Sequence, residues 1–171
     1  IDGVEADDVI GTLVRHATQR QVRSIVSTGD KDMAQLVDDH VMLVNTMSQE
    51  TLDGPGVAAK FGVPPERIID YLTLIGDTVD NVPGVAKCGP KTAVKWLAEY
   101  GTLDNLLAHA DAIKGVVGDN LRAAREWLPQ ARVLITIKTD VALPFDFDDL
   151  ILKPRDTDAL RALFERYEFR T

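Results

Sequence analysis

Apolar residues recur at helical spacing at Val9, Ile10, Leu13, Val14 and Ala17, which predicts a helix from about residue 6 to residue 20. The pattern then changes to a β-branched run, VRSIVST (residues 22–28), which stops at Gly29 and reads as a buried strand. DKDMAQLV returns to the helical period, and VMLVNT (residues 41–46) predicts a second strand. Helix, strand, helix, strand in this order predicts an α/β fold with a parallel sheet. The functional loops of such a sheet lie at its strand C-termini.

After Leu52 the chain turns mostly helical. Asp53 can cap a short helix through Lys60, and Pro64 and Pro65 open another whose Ile68, Ile69, Leu72 and Ile75 share one face. Pro90 stands where a first-turn proline would, at the head of PKTAVKWLAEYG, which stops at Gly101. TLDNLLAHA and NLRAAREWL read as further helices, VLITIKTDVAL (residues 133–143) as a late strand, and DTDALRALFERYEF as a closing helix. The division falls near residue 50: residues 1–50 form an α/β part and residues 51–171 a mostly helical one.

Composition narrows the class. With 171 residues, 45% hydrophobic and 27% charged, the chain suits one domain or two small lobes sharing a core. No apolar run reaches the length of a membrane span and no signal peptide opens the sequence. The single cysteine, Cys88, excludes an internal disulfide and fits a reducing cytoplasm. The chain begins IDGVEADD, without Met and already inside a motif, which reads as a fragment.

A net charge of −8 argues at first against nucleic acid. Of the 27 acids, however, seven sit in three short motifs, and the remaining 20 nearly balance the 19 bases. EADD brings Glu5, Asp7 and Asp8 to a helix start, where helix-dipole chemistry alone explains acids. TGDKD sets Asp30 and Asp32 at a strand-to-helix turn, where an N-cap explains one acid better than two. GDTVD places Asp77 and Asp80 after an apolar helix, at the end where the dipole is already negative, so a compensating cation is the better account. None of the three motifs contains His or Cys. Oxygen-only ligands suit hard ions, Mg²⁺ or Mn²⁺, and a carboxylate site suits two-metal phosphoryl chemistry. His16, His40 and His109 are scattered singly and read as ordinary structural or surface residues.

VPGVAKCGPKTA follows the third motif at once. Gly84 and Gly89 frame a short hairpin, Lys87 lies within it, and Lys91 and Lys95 share a face of the next helix beside Thr92. Exposed backbone N–H groups at such a turn bind phosphate without reading sequence. A solvated lysine face on a capped helix is the plain alternative. Trp96 and Trp127 read as core, Cys88 as a packed side chain, and Tyr71 and Tyr167 as helix-face packing.

Taken together, GVEADDVIGTL, STGDKDMAQLV, LIGDTVDNVPGV and GPKTAVKWL resemble the flap endonuclease and 5′–3′ exonuclease family, in the version carried by bacterial DNA polymerase I. TIKTDVAL and the ending YEF resemble that version too. The resemblance implies a PIN-like core, N-terminally truncated here, followed by a helix-hairpin-helix extension. It implies that Glu5, Asp7, Asp8, Asp30, Asp32, Asp77 and Asp80 hold two or three divalent ions, with Asp30, Asp32, Asp77 and Asp80 as the catalytic acids. Gly84, Val85, Lys87, Gly89, Lys91, Thr92 and Lys95 then bind duplex DNA, with K⁺ at the hairpin. The substrate implied is a duplex with a 5′ flap or 5′ end, or an RNA primer strand, handled by a monomer with a polymerase domain downstream. Many relatives have Gly where this chain has Lys87. The family's opening strand, its aspartate and a basic arch belong upstream of EADD. A second reading, a DNA-binding module without chemistry, and a third, a metal-stabilised interaction domain, stay open at this point.

Overall fold

The computed structural model describes residues 3–169. α1 (Ala6–Gln19) turns Val14 and Ala17 inward as the spacing predicts, buries Thr12 with them, and leaves Val9, Ile10 and Leu13 half-buried. β1 (Ser24–Ser27) and β2 (Val41–Asn45) pair in parallel with Ser24 opposite Val41, and a 3-10 turn, Asp32–Leu36, links them where the helical period predicts a full helix. β3 (Glu50–Leu52), too short at three residues to show in the pattern, adds to β2 antiparallel. The sheet order is β1-β2-β3, so both β1 and β3 are edges.

α2 (Gly54–Phe61) is capped by Asp53, whose Oδ1 accepts the Gly56 N–H at 2.8 Å. α3 (Ile68–Ile75) is apolar nearly all round because it is the central helix, packed by α4 (Pro90–Tyr100) and α7 (Leu128–Ile135) and by the Asp32–Leu36 turn. Ile68, Leu72 and Leu74 are fully buried there with Met33, Leu103, Leu106, Leu121 and Leu128. α5 (Leu103–Ala108) and α6 (Val116–Ala124) complete the helical half. Between α3 and α4 lies a two-stranded hairpin, β4 (Gly76–Asp77) and β5 (Val82–Pro83). α8 (Thr157–Arg166) closes the chain, and Tyr167 beyond it is exposed rather than packed.

The late strand is a correction. Residues 133–135 belong to α7, where Leu128, Ala131 and Ile135 are buried at helical spacing while Val133 and Leu134 face solvent. Pro129 in the first turn and this periodicity outweigh the β-branched composition. The segment that follows runs across α1 without a strand partner among the described residues. Side chains take its backbone instead: Ile137 N–H donates to Gln35 Oε1 at 3.0 Å, Lys138 N–H to Asp8 Oδ1 at 2.9 Å, and Val141 N–H to Thr12 Oγ1 at 3.1 Å. Gly11 allows the crossing, since a Cβ there would lie 2.7 Å from Ile137 Cγ2.

Candidate metal centre

Asp32 opens the 3-10 turn after β1, Asp77 sits in β4, and Asp80 lies in the hairpin loop. One carboxylate oxygen from each falls within 4.8 Å of the other two. Gly76 and Gly84 make this possible. Gly76 has φ +77°, and a Cβ on either glycine would collide with the backbone of the other.

Electrostatics divides the three. Asp32 is 9% exposed and its Oδ1 has no hydrogen-bond partner. Burial first, then the charges of Asp30 and Asp77, push its carboxyl up to about 7, with Lys31 opposing. Burial alone would raise Asp77 too. The Lys31 ammonium, 2.7 Å from Asp77 Oδ2, and the Val79 N–H, 2.8 Å from Oδ1, outweigh it and hold Asp77 below the usual carboxylate range. Lys31 is absent from the residues that the sequence motifs mark, although a lysine between two site aspartates is itself the signal.

The other four acids differ in their surroundings. Asp7 is raised by burial and then by Asp30, Glu5, Asp8 and Asp80, which places it at the same negative focus. Asp30 Oδ1 accepts the Asp32 N–H at 3.0 Å and so shapes the turn. Glu5 is exposed at the start of α1. Asp8 is engaged elsewhere: Oδ1 takes the Lys138 N–H and Oδ2 the Glu5 N–H at 3.3 Å. Its carboxylate ties α1 to the segment that crosses it, a contact between distant residues that no local motif signals.

An unpartnered buried oxygen, a donor set of carboxylates alone, and a pKa raised by burial and by crowded acids are what a divalent cation would relieve. Asp32, Asp77 and Asp80 are the residues placed to hold one.

The hairpin leads directly to the second candidate surface. Val85 N–H donates to Leu74 O at 2.8 Å, Cys88 N–H to Val85 O at 2.9 Å, and Gly89 then caps α4 ahead of Pro90. Lys87, Lys91 and Lys95 are exposed, and Thr92 is half-buried. Lys114, not marked from the sequence, lines the same groove as Lys91, Thr92 and Lys95. Cys88 is buried and burial pushes its thiol up to about 11, so it is a packed group and not a nucleophile. Trp96 is buried in the core. Trp127 is half-buried and donates its indole N–H to the Pro83 carbonyl at 2.7 Å.

Residues 1–62 match the family model of the 5′-3′ exonuclease N-terminal resolvase-like domain, and residues 63–158 that of the 5′-3′ exonuclease C-terminal SAM fold. The chain belongs to the 5′-3′ exonuclease family. It is 48% identical to DNA polymerase I of Pseudomonas aeruginosa over 99% of its own length and 20% of that protein. It is 36% identical to the 5′-3′ exonuclease of Aquifex aeolicus over all of its length and 58% of that protein. The chain thus spans about a fifth of the one relative and a little over half of the other. Among solved structures, the T5 D15 protein co-crystallised with metal ions overlays with a TM-score of 0.75 at 24% identity, over 81% of this chain and 53% of that one. A T5 D15 flap endonuclease crystallised with DNA and metal ions overlays equally well, at 23% identity over 81% of this chain and 52% of that one. These two likenesses concern the fold. Among the described residues no helix is long and apolar enough to cross a membrane.

Proposed function

We propose that the chain is the metal-holding and DNA-gripping part of a divalent-metal-dependent 5′ nuclease, a 5′–3′ exonuclease and flap endonuclease that trims 5′ flaps and RNA primers during replication and repair. The observation that carries this is the convergence of Asp32, Asp77 and Asp80 with an unpartnered buried oxygen among them. Family membership supplies the reaction class. Mg²⁺ or Mn²⁺ bound by these acids, two or three ions with Asp7 and Asp30 taking part, would supply charge neutralisation at a phosphodiester and a more acidic attacking water.

The chain's own residues do the rest. The α/β part through residue 50 and the β4–β5 hairpin hold the acids. The helical remainder holds the duplex, through backbone N–H groups at the start of α4 and the exposed lysines beside them. Because the grip stands directly beside Asp77 and Asp80, it sets which phosphate the acids meet. K⁺ at the hairpin fits the same reading. So do a polymerase domain downstream, as in the polymerase relatives, action as a monomer, and work on the bacterial chromosome in the cytoplasm.

Lys31 favours a second reading. An ammonium bonded to Asp77 neutralises a carboxylate that an ion would need, which suits a module that binds DNA without cutting it. Incubating the chain with a 5′-flap duplex in Mg²⁺ or Mn²⁺, against EDTA, separates the two. Metal-dependent cutting near the junction, lost in Asp77→Asn, supports the nuclease. Salt-sensitive binding with no cutting under any metal supports the module.

A further inference from the structure

The turn that presents Lys87 has its third residue in an unfavourable conformation. Lys87 has φ +63°, in the left-handed region that glycine enters freely and a lysine does not. In a four-residue turn closed by the Cys88 N–H to Val85 O bond, a positive φ at this position goes with a flipped central peptide, the one that carries the Ala86 carbonyl. Nothing in residues 83–89 themselves accounts for a lysine accepting that geometry.

Two side chains from far along the sequence hold the turn. Asn120 Nδ2 donates to the Ala86 carbonyl at 2.7 Å, and Trp127 Nε1 donates to the Pro83 carbonyl at 2.7 Å. Both donors sit on fixed supports. Asn120 belongs to α6, which Arg122 fastens to the preceding turn through the Ala110 carbonyl at 2.6 Å and the Ile113 carbonyl at 2.9 Å. Trp127 stands at the head of α7 and packs on the core. A donor fixed on the Ala86 oxygen selects the flipped peptide, and a donor on the Pro83 oxygen fixes where the turn begins. Neither side chain carries charge and neither lies on the lysine-bearing face of α4.

We propose that Asn120 and Trp127 are positioning residues for the DNA grip. They lock the Pro83–Gly89 turn in the conformation that sets the exposed Lys87 ammonium against a phosphate of the duplex backbone. The proposal rests on the reading of the hairpin as a backbone-binding element. In this arrangement Asn120 does for the chain what a glycine at position 87 would do without help, and Lys87 adds a cation that glycine lacks.

The distinguishing readout is the salt dependence of binding. Each phosphate contact made by a cation adds about 0.9 to the slope of log K against log salt. Asn120 is neutral, so its removal changes that slope only if it places a cation. The experiment measures fluorescence anisotropy of a labelled 5′-flap duplex with the 171-residue chain in EDTA, across a salt series, with thermal unfolding of each variant alongside. Asn120→Ala is expected to weaken binding about tenfold at low salt and to lower the slope by about one. Lys87→Gly is expected to lower the slope equally, and Asn120→Ala added to Lys87→Gly to weaken binding less than about twofold further. Trp127→Phe, which keeps the ring and loses the donor, is expected to weaken binding in the same direction. Asn120→Asp, isosteric but facing a carbonyl with a carboxylate, should weaken it at least as much as Ala.

An unchanged slope in both Asn120→Ala and Asn120→Asp overturns the proposal. So does an equal loss from Asn120→Ala in the wild-type and Lys87→Gly backgrounds. Lys91→Ala with Lys95→Ala serves as the reference. If that pair weakens binding while the Asn120 variants do not, the grip stands and the positioning role falls. If that pair changes nothing, the grip reading fails and the positioning role fails with it.

Discussion

The acid cluster and the lysine turn lie a few residues apart and are built on opposite principles. At the cluster the difficulty lies in buried charge, relieved at Asp77 by the bonded Lys31 but not at the Asp32 Oδ1 oxygen. Asp32 keeps a buried oxygen without a partner, and Asp30 and Asp77 crowd it further. At the turn the charges are solvated and the backbone is awkward, with Lys87 at positive φ and its peptide held from outside by Asn120. The difference matches the two ligands proposed. A metal ion is worth most where desolvated negative charge awaits it, and here that is the unpartnered oxygen of Asp32. A phosphate backbone brings its own charge and needs only placement, so its site is made rigid in advance.

Exchanging the kind of damage between the two regions tests this contrast most strongly. Asp77→Asn should lower metal-dependent flap cleavage on the order of 10²-fold or more while leaving duplex affinity within about threefold. Lys91→Ala with Lys95→Ala should do the reverse, weakening binding and its salt slope while the single-turnover rate at saturating enzyme holds. A cleavage loss in the lysine variant as large as that in Asp77→Asn would erase the distinction.

Gly84 belongs to both regions. Gly84→Ala sets a methyl against the Gly76 backbone, with no flexible side chain to give way, and should cost about 3 kcal/mol in urea unfolding. A cost below about 1 kcal/mol would mean that the hairpin can open without harm.

Asp8 sharpens the division within the acids. Asp8→Ala leaves the Lys138 N–H without its acceptor and should cost about 2 kcal/mol of stability. Its effect on divalent-ion affinity, read by calorimetry, should be smaller than that of Asp77→Asn. A larger effect on metal than on folding would return Asp8 to the cluster.

The smallest expected effect is a pH dependence. Asp32 titrates near 7 in the folded chain against 3.8 as its ordinary value, so between these the fold takes up a proton more readily than the unfolded chain. That contribution is full below about pH 4 and is lost as the pH rises toward 7 in the metal-free protein. Asp77, held low by Lys31, acts in a separate and more acidic window, where its contribution is lost as the pH falls. Unfolding midpoints measured in EDTA should therefore decline from about pH 5 to about pH 7.5, and Asp32→Asn should flatten the decline. A midpoint that rises in the wild type over this range would contradict the assigned surroundings of Asp32.

Much of the helical half was legible because helices announce their ends. Asp53, Pro65, Pro90 and Gly101 mark boundaries through local backbone chemistry that needs no tertiary partner. Residues 133–135 misled because Val, Leu and Ile suit strand and helix alike, and only burial on one helical face decides between them. Within the candidate site, the grouping of acids into motifs was readable, but their division of labour was not. Asp7 and Asp8 are neighbours of one type, yet one faces the negative focus and the other a backbone N–H more than a hundred residues away. Asn120 and Trp127 escaped for the same reason. Their roles depend on partners that only the folded chain brings near.

The side-chain ladder that Asp8, Thr12 and Gln35 extend to residues 137–141 has a consequence for the order in which the protein is made. A ribosome delivers α1 early and the segment that fastens it late, and closing so large a loop is among the slower steps of folding. Until about residue 141 has emerged, α1 and the Asp7 it carries lack one wall of their support. Asp7 is thus held in its final place only after a segment more than a hundred residues further on has been made.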